Sequence, residues 1–87
     1  MLKVLLGSRV AKDIKALEAS LRQRIIDRLL LLRNNPRPIG AKKLEGGKNF
    51  WRIRVGDWRI LYEIDVKRAE VKIYRVKHRS IIYRSSA

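Results

Sequence analysis

Apolar and polar positions change their spacing along the chain, and each change marks an element. Leu2 to Leu6 is a short apolar run closed by Gly7, which predicts a strand. Ser8 is placed to cap a helix in which Val10, Ile14, Leu17 and Leu21 recur at helical spacing. Ser20 and Gln23 have the spacing of a capping box. A second stripe follows, carried by Leu21, Ile25, Leu29 and Leu32 and widened by Ile26 and Leu30. Asn34, Asn35 and Pro36 should stop this helix, because the residue before a proline disfavours helical backbone. Two helices joined tightly at residues 18–20 form an αα-hairpin. Residues 37–48, with Pro38, Gly40, Gly46 and Gly47, predict a loop.

The period then switches to two. Residues 49–55 alternate, Gly56 and Asp57 give a two-residue turn, and residues 58–65 alternate again, which predicts a β-hairpin with a primed turn. Residues 66–69 form a polar turn, residues 71–76 another strand, and residues 77–87 a basic tail with room for one helical turn. The order β-α-α-β-β-β predicts a single α+β domain over residues 1–87, with two helices packed on one face of an antiparallel-rich sheet.

A two-residue turn fixes the pairing of the hairpin. One face should carry Trp51, Ile53, Val55, Trp58, Ile60 and Tyr62 under the helices. The other should carry Arg52, Arg54 and Arg59, exposed, with Arg54 directly opposite Arg59. Opposed like charges destabilise a sheet by themselves. Exposed strands are often charged, and basic side chains also guard sheet edges. Three arginines on one face, before the first acid at Glu63, nevertheless point to an anion held there, and arginine suits a bidentate grip on phosphate. Glu63 is expected to pair with Lys72.

Charge gives the hairpin its context. The chain has 22 Lys and Arg against 8 Asp and Glu, a net charge of +14 over 87 residues. Such self-repulsion is usually offset by an anionic partner. There is no cysteine and one histidine, so disulfides are excluded and neither a structural zinc site nor any other metal or cofactor is expected. No leader pattern or long apolar run is present, so a cytoplasmic protein without membrane contact is expected. No catalytic triad, carboxylate pair or phosphate-binding glycine loop appears. RNA cleavage needs less. An aligned 2′-OH can attack its own phosphate while cations stabilise the charge that develops. His78 is the side chain with a reference pKa near neutrality; it is equally placed for proton transfer or for a local hydrogen bond. Tyr83 can stack on a base or anchor the tail.

The segments Lys12-Asp13-Ile14-Lys15, Ala41-Lys42-Lys43-Leu44-Glu45-Gly46, the run from Trp51 to Tyr62, and Val76-Lys77-His78-Arg79 ending at Tyr83 resemble the RelE/ParE superfamily of toxins from toxin–antitoxin pairs. The terminal His-Arg-Ser-Ile-Ile-Tyr leans to the RelE branch. That resemblance implies the RelE-like microbial RNase fold and an endoribonuclease that cuts mRNA in the ribosomal A site without a metal. It implies catalytic roles for Arg52 and Arg54, a phosphate grip by Arg59, a further basic residue at Arg79 or Lys77 depending on how the tail is aligned, and stacking or proton transfer by Tyr83. His78 matches a histidine of some members. Lys43, Lys77 and Arg84 are expected to bind RNA. The implied partners are the ribosome with its mRNA and an acidic antitoxin, operator DNA being met through the antitoxin complex alone. Two alternatives stand beside this: a ParE-like inhibitor of DNA gyrase, and a non-catalytic basic RNA-binding module.

Overall fold

A computed structural model describes residues 1–45 and 49–80. Strand β1 (Lys3–Leu6) leads into helices α1 (Ser8–Lys15) and α2 (Ala19–Leu31), followed by β2 (Lys42–Lys43), β3 (Phe50–Val55), β4 (Trp58–Asp65) and β5 (Glu70–His78). The strands form one sheet in the order β1-β5-β4-β3-β2, antiparallel except that β1 runs parallel to β5. The expected α+β fold is therefore present, with one strand more than the sequence suggested. Lys42 and Lys43 lie in the segment read as loop, and their short pairing with Arg52 and Trp51 makes them β2.

Both helix starts differ from the expectation. The residue at the N-cap of α1 is Gly7, with no side-chain cap, and Ser8 is already helical. At α2 the cap is Glu18, whose carboxylate accepts from the backbone N–H groups of Ser20 and Leu21. A carboxylate suits the positive end of the helix dipole. Gln23, expected in a capping box, instead donates to Asp27 four residues on (2.9 Å).

The core lies between the helices and one face of the sheet. Val10, Ile14, Ile25, Leu29 and Leu32 meet Ile53, Val55, Ile60, Tyr62, Ile73 and Val76, all buried. Trp51 and Trp58 pack against its margin. Tyr62 is fully buried, and its hydroxyl donates to the Pro36 carbonyl (2.6 Å), tying the hairpin to the loop after α2. Burial pushes this phenol up to about 12, against the opposing charge of Arg37. Tyr62→Phe is expected to lower stability by about 1 kcal/mol, because the partly buried Pro36 carbonyl loses its donor; urea unfolding measures it.

Candidate functional site

The face of the sheet opposite the helices carries the basic residues, and strand pairing arranges them in rows. In the hairpin, Val55 faces Trp58, Arg54 faces Arg59, Ile53 faces Ile60, Arg52 faces Leu61 and Trp51 faces Tyr62, as the turn length predicts. Gly56 takes φ +60 at the first central position of the turn, where glycine is unstrained. Across the sheet, Arg59 faces Lys77 and Leu61 faces Arg75. One row therefore reads Arg54, Arg59, Lys77. The next reads Lys42, Arg52, Leu61, Arg75. Along β4 the first acids, Glu63 and Asp65, come after these rows, on the half of the sheet away from the turn.

Arg59 departs from the exposed position expected for it. It is 4% exposed. Alternation assigns a face but not a depth, and Arg59 stands on the central strand between Arg54 and Lys77. Its Nη1 donates to the carbonyls of Gly56 and Trp58 (both 3.2 Å), while its buried Nε has no hydrogen-bond partner. None of the ion pairs among the described residues includes it. A buried guanidinium without a carboxylate is costly unless an anion arrives from outside.

Lys77 and Arg75 are held from the side. Strand β1 stops opposite Ile73, and α1 runs on beside the uncovered edge of β5. There Asp13, its side chain 8% exposed, accepts from the Val76 backbone N–H (3.0 Å) and pairs with Lys77 Nζ (3.1 Å) and Arg75 Nε (3.3 Å). Its carboxylate stands where a neighbouring strand's carbonyl would be. Desolvation alone would raise its pKa; the Val76 N–H, the Lys77 hydrogen bond and the two cations outweigh it and hold the carboxyl below its ordinary value.

The remaining candidates divide. Arg79 lies just past β5, its backbone N–H donating to the Asp57 carbonyl (2.9 Å) and its guanidinium 4.0 Å from the Asp57 carboxylate, so it sits beside the hairpin turn. Lys77, not Arg79, shares the row with Arg54 and Arg59. His78 pairs with Trp58, on the face that carries Ile60 and Val76, and its ring meets the Trp58 ring edge-on (5.6 Å). The strand's alternation thus places it on the face away from the basic rows, which favours the local hydrogen bond over proton transfer at those rows. Its Nδ1 lies 3.0 Å from the Ser80 hydroxyl and 3.3 Å from the Ser80 backbone nitrogen, so the ring is engaged locally. Lys43 pairs with Trp51, on the helix-side face, whereas Lys42 pairs with Arg52. Glu63 lies opposite Lys72 as expected, but its carboxylate accepts from the Tyr74 hydroxyl (3.0 Å). Tyr83 and Arg84 lie outside the described residues. Among the described residues no group of side chains has the makings of a metal site, and no helix is long and apolar enough to cross a membrane.

Sequence reasoning missed Lys42, Arg75 and Asp13. Lys42 was hidden in a strand of two residues. Arg75 was hidden by an irregularity in β5. Asp13 acts across more than sixty positions of sequence, and no local pattern announces it.

Comparison with known proteins agrees with this architecture. The family model described as the ParE toxin of the type II toxin–antitoxin system parDE matches residues 4–83. Toxin RelE3 of Methanocaldococcus jannaschii is 35% identical over 86 residues, covering 94% of this chain and 96% of that protein. The archaeal RelE–RelB complex from Pyrococcus horikoshii superposes with a TM-score of 0.80 at 28% identity, over 90% of this chain and 94% of that chain. The RelB–RelE antitoxin–toxin complex from Methanococcus jannaschii gives 0.75 at 30% identity, over 91% and 94%. A match along nearly the whole chain, on a fold that sets cationic rows on its uncovered sheet face, makes this protein a member of the RelE/ParE superfamily of type II toxin–antitoxin toxins.

Proposed function

We propose that this toxin is a ribosome-dependent endoribonuclease that cuts mRNA in the ribosomal A site. The observation that carries this reading is the row Arg54, Arg59, Lys77, with at its centre a buried guanidinium that has no carboxylate partner among the described residues and an unpartnered Nε. A phosphodiester seated on Arg59 has Arg54 and Lys77 on either side. The mRNA 2′-OH attacks the adjacent phosphorus and loses its proton; the bond from phosphorus to the 5′-oxygen breaks, and that oxygen takes up a proton. The products are a 2′,3′-cyclic phosphate and a 5′-hydroxyl. The row's work is to align the phosphate and stabilise its developing charge. Arginine stays protonated, and Asp13 keeps Lys77 beside a carboxylate, so these side chains serve as cations. Arg52, Lys42 and Arg79 extend the field along the RNA, and Tyr83 is assigned to stacking or proton transfer. The ribosome supplies the remaining alignment.

An acidic antitoxin is proposed as the partner, consistent with the net charge of +14 and with relatives solved as RelE–RelB complexes. Operator DNA would be met through that complex. The protein is expected to work in the cytoplasm, where its ribosomes are.

Toeprinting of mRNA on translating ribosomes tests the reading. Wild type should cut in the A site and Arg54→Ala should cut at least tenfold more slowly. The match to the ParE description favours a second reading, inhibition of DNA gyrase. Blocked supercoiling with no A-site cleavage would establish that one instead. Binding without either effect would leave a basic RNA-binding module.

A further inference from the structure

The period-two pattern of β5 breaks once. Opposite the Leu61–Tyr62 step the strand carries one residue too many: Ile73 faces Tyr62 and Arg75 faces Leu61, with Tyr74 between them. Ile73 and Val76 are both buried, so both residues of this bulge fall on the side away from the core. Bulges re-aim side chains in this way. The result is a second aromatic ring, beside Phe50, on the face that carries the basic rows. Tyr74 is 41% exposed, and its ring centroid lies 5.5 Å from that of Phe50, at 45°. Phe50 shares its face of β3 with Arg52 and Arg54 by strand alternation. The Tyr74 hydroxyl donates to the Glu63 carboxylate (3.0 Å) at the edge of the ring.

We infer that Phe50 and Tyr74 form a platform on which a base of single-stranded RNA stacks, next to the phosphate-binding rows. The platform adjoins the row of Lys42, Arg52, Leu61 and Arg75. A cationic track beside aromatic faces is the general arrangement for single-stranded nucleic acid, because every base offers a π-face whatever its sequence. Glu63 and Asp65 border the platform on the strand between the rings, where a second phosphate would be repelled and a base is not. The stacked nucleotide is therefore a neighbour of the one at Arg59. This assignment rests on the reading of the basic face as an RNA site and extends it from phosphate to base.

The test uses a short RNA carrying 2′-O-methyl groups throughout, which cannot cleave itself, and a matched set with one abasic position each. Binding of the full-length protein is followed by fluorescence anisotropy over a range of salt. Phe50→Leu/Tyr74→Leu should bind the complete RNA roughly tenfold more weakly. Its affinity for one abasic RNA should equal that of wild type, and the salt slope should not change, since no phosphate contact is lost. Tyr74→Phe, which keeps the ring, should bind the complete RNA as wild type does. Equal losses for complete and abasic RNA, or no loss for either, would overturn the platform. Ribosomal cleavage by wild type is scored separately: its absence would sink the nuclease reading, and base-selective binding by Phe50 and Tyr74 would still be read from the abasic set.

Discussion

Arg59→Met is expected to abolish most cleavage while leaving the fold as stable as wild type or more so. The two halves of this result have one cause. Arg59 is 4% exposed, charged, and without a carboxylate among the described residues; its Nε is buried with no partner. Two carbonyls, Gly56 and Trp58, accept from Nη1, which offsets only part of the desolvation. Replacing a buried charge by an apolar side chain of similar volume is commonly neutral or stabilising. Methionine adapts its shape to the space it is given. The melting temperature should therefore hold or rise. A-site cleavage should fall by about two to three orders of magnitude, the usual effect of removing one preorganised charge from a developing oxyanion. Inorganic phosphate should raise the wild-type melting temperature by mass action and leave that of Arg59→Met unmoved. Should Arg59→Met unfold, or should phosphate stabilise both proteins alike, Arg59 would be a structural residue of the hairpin turn.

The hairpin was legible in the sequence because two strict rules fix it. A two-residue turn sets the pairing, and a period of two sets the faces, so every pair from Trp51–Tyr62 to Val55–Trp58 could be read without coordinates. The helices were legible from their stripes, although α1 ends at Lys15, leaving Leu17 in the joint and Leu21 on α2, and their caps were not legible: Glu18 outcompetes Ser20 by reaching two N–H groups with a full charge. The burial of Arg59 could not be read, because depth depends on which strand ends up in the middle of the sheet. Strand β5 joins the hairpin on its far side and makes β4 central. The same strand hid its own bulge. A reader who imposes alternation through Ile73 to Val76 puts Tyr74 and Arg75 on opposite faces; the two buried aliphatics are three apart, and that spacing was the one available sign. His78 shows the converse. Its chemistry is the most suggestive of any side chain in the tail, yet its pairing with Trp58 turns it from the basic rows.

Asp13→Ala is expected to cost about 2 kcal/mol of stability and to slow cleavage, although Asp13 lies on the helix beside the sheet rather than on its basic face. Its carboxylate occupies the place of a missing strand at the edge of β5. Removing it strands the Val76 N–H, which costs on the scale of an unmade hydrogen bond, and leaves Arg75 and Lys77 with no acid between them. Both cations are about a third exposed, so water screens part of that loss and the full penalty of breaking a buried pair is not reached. Lys77 then loses the contact that sets its position beside Arg59. Asp13→Asn retains an acceptor for Val76 without the charge, and should fall between wild type and Asp13→Ala. The dependence on pH gives the decisive measurement. The folded protein holds this carboxyl below its ordinary value of 3.8. The unfolded chain therefore binds the proton more readily, and stability rises with pH through the interval between the two values. The contribution is fully present above the unfolded value and is lost as pH falls through the folded one. Urea unfolding at stepped pH should show wild type losing its advantage over Asp13→Asn only on that acid limb, with a constant gap above it. Parallel curves through the acid range would mean that Asp13 acts through its shape and its acceptor oxygen alone, and that Lys77 is placed by the strand without it.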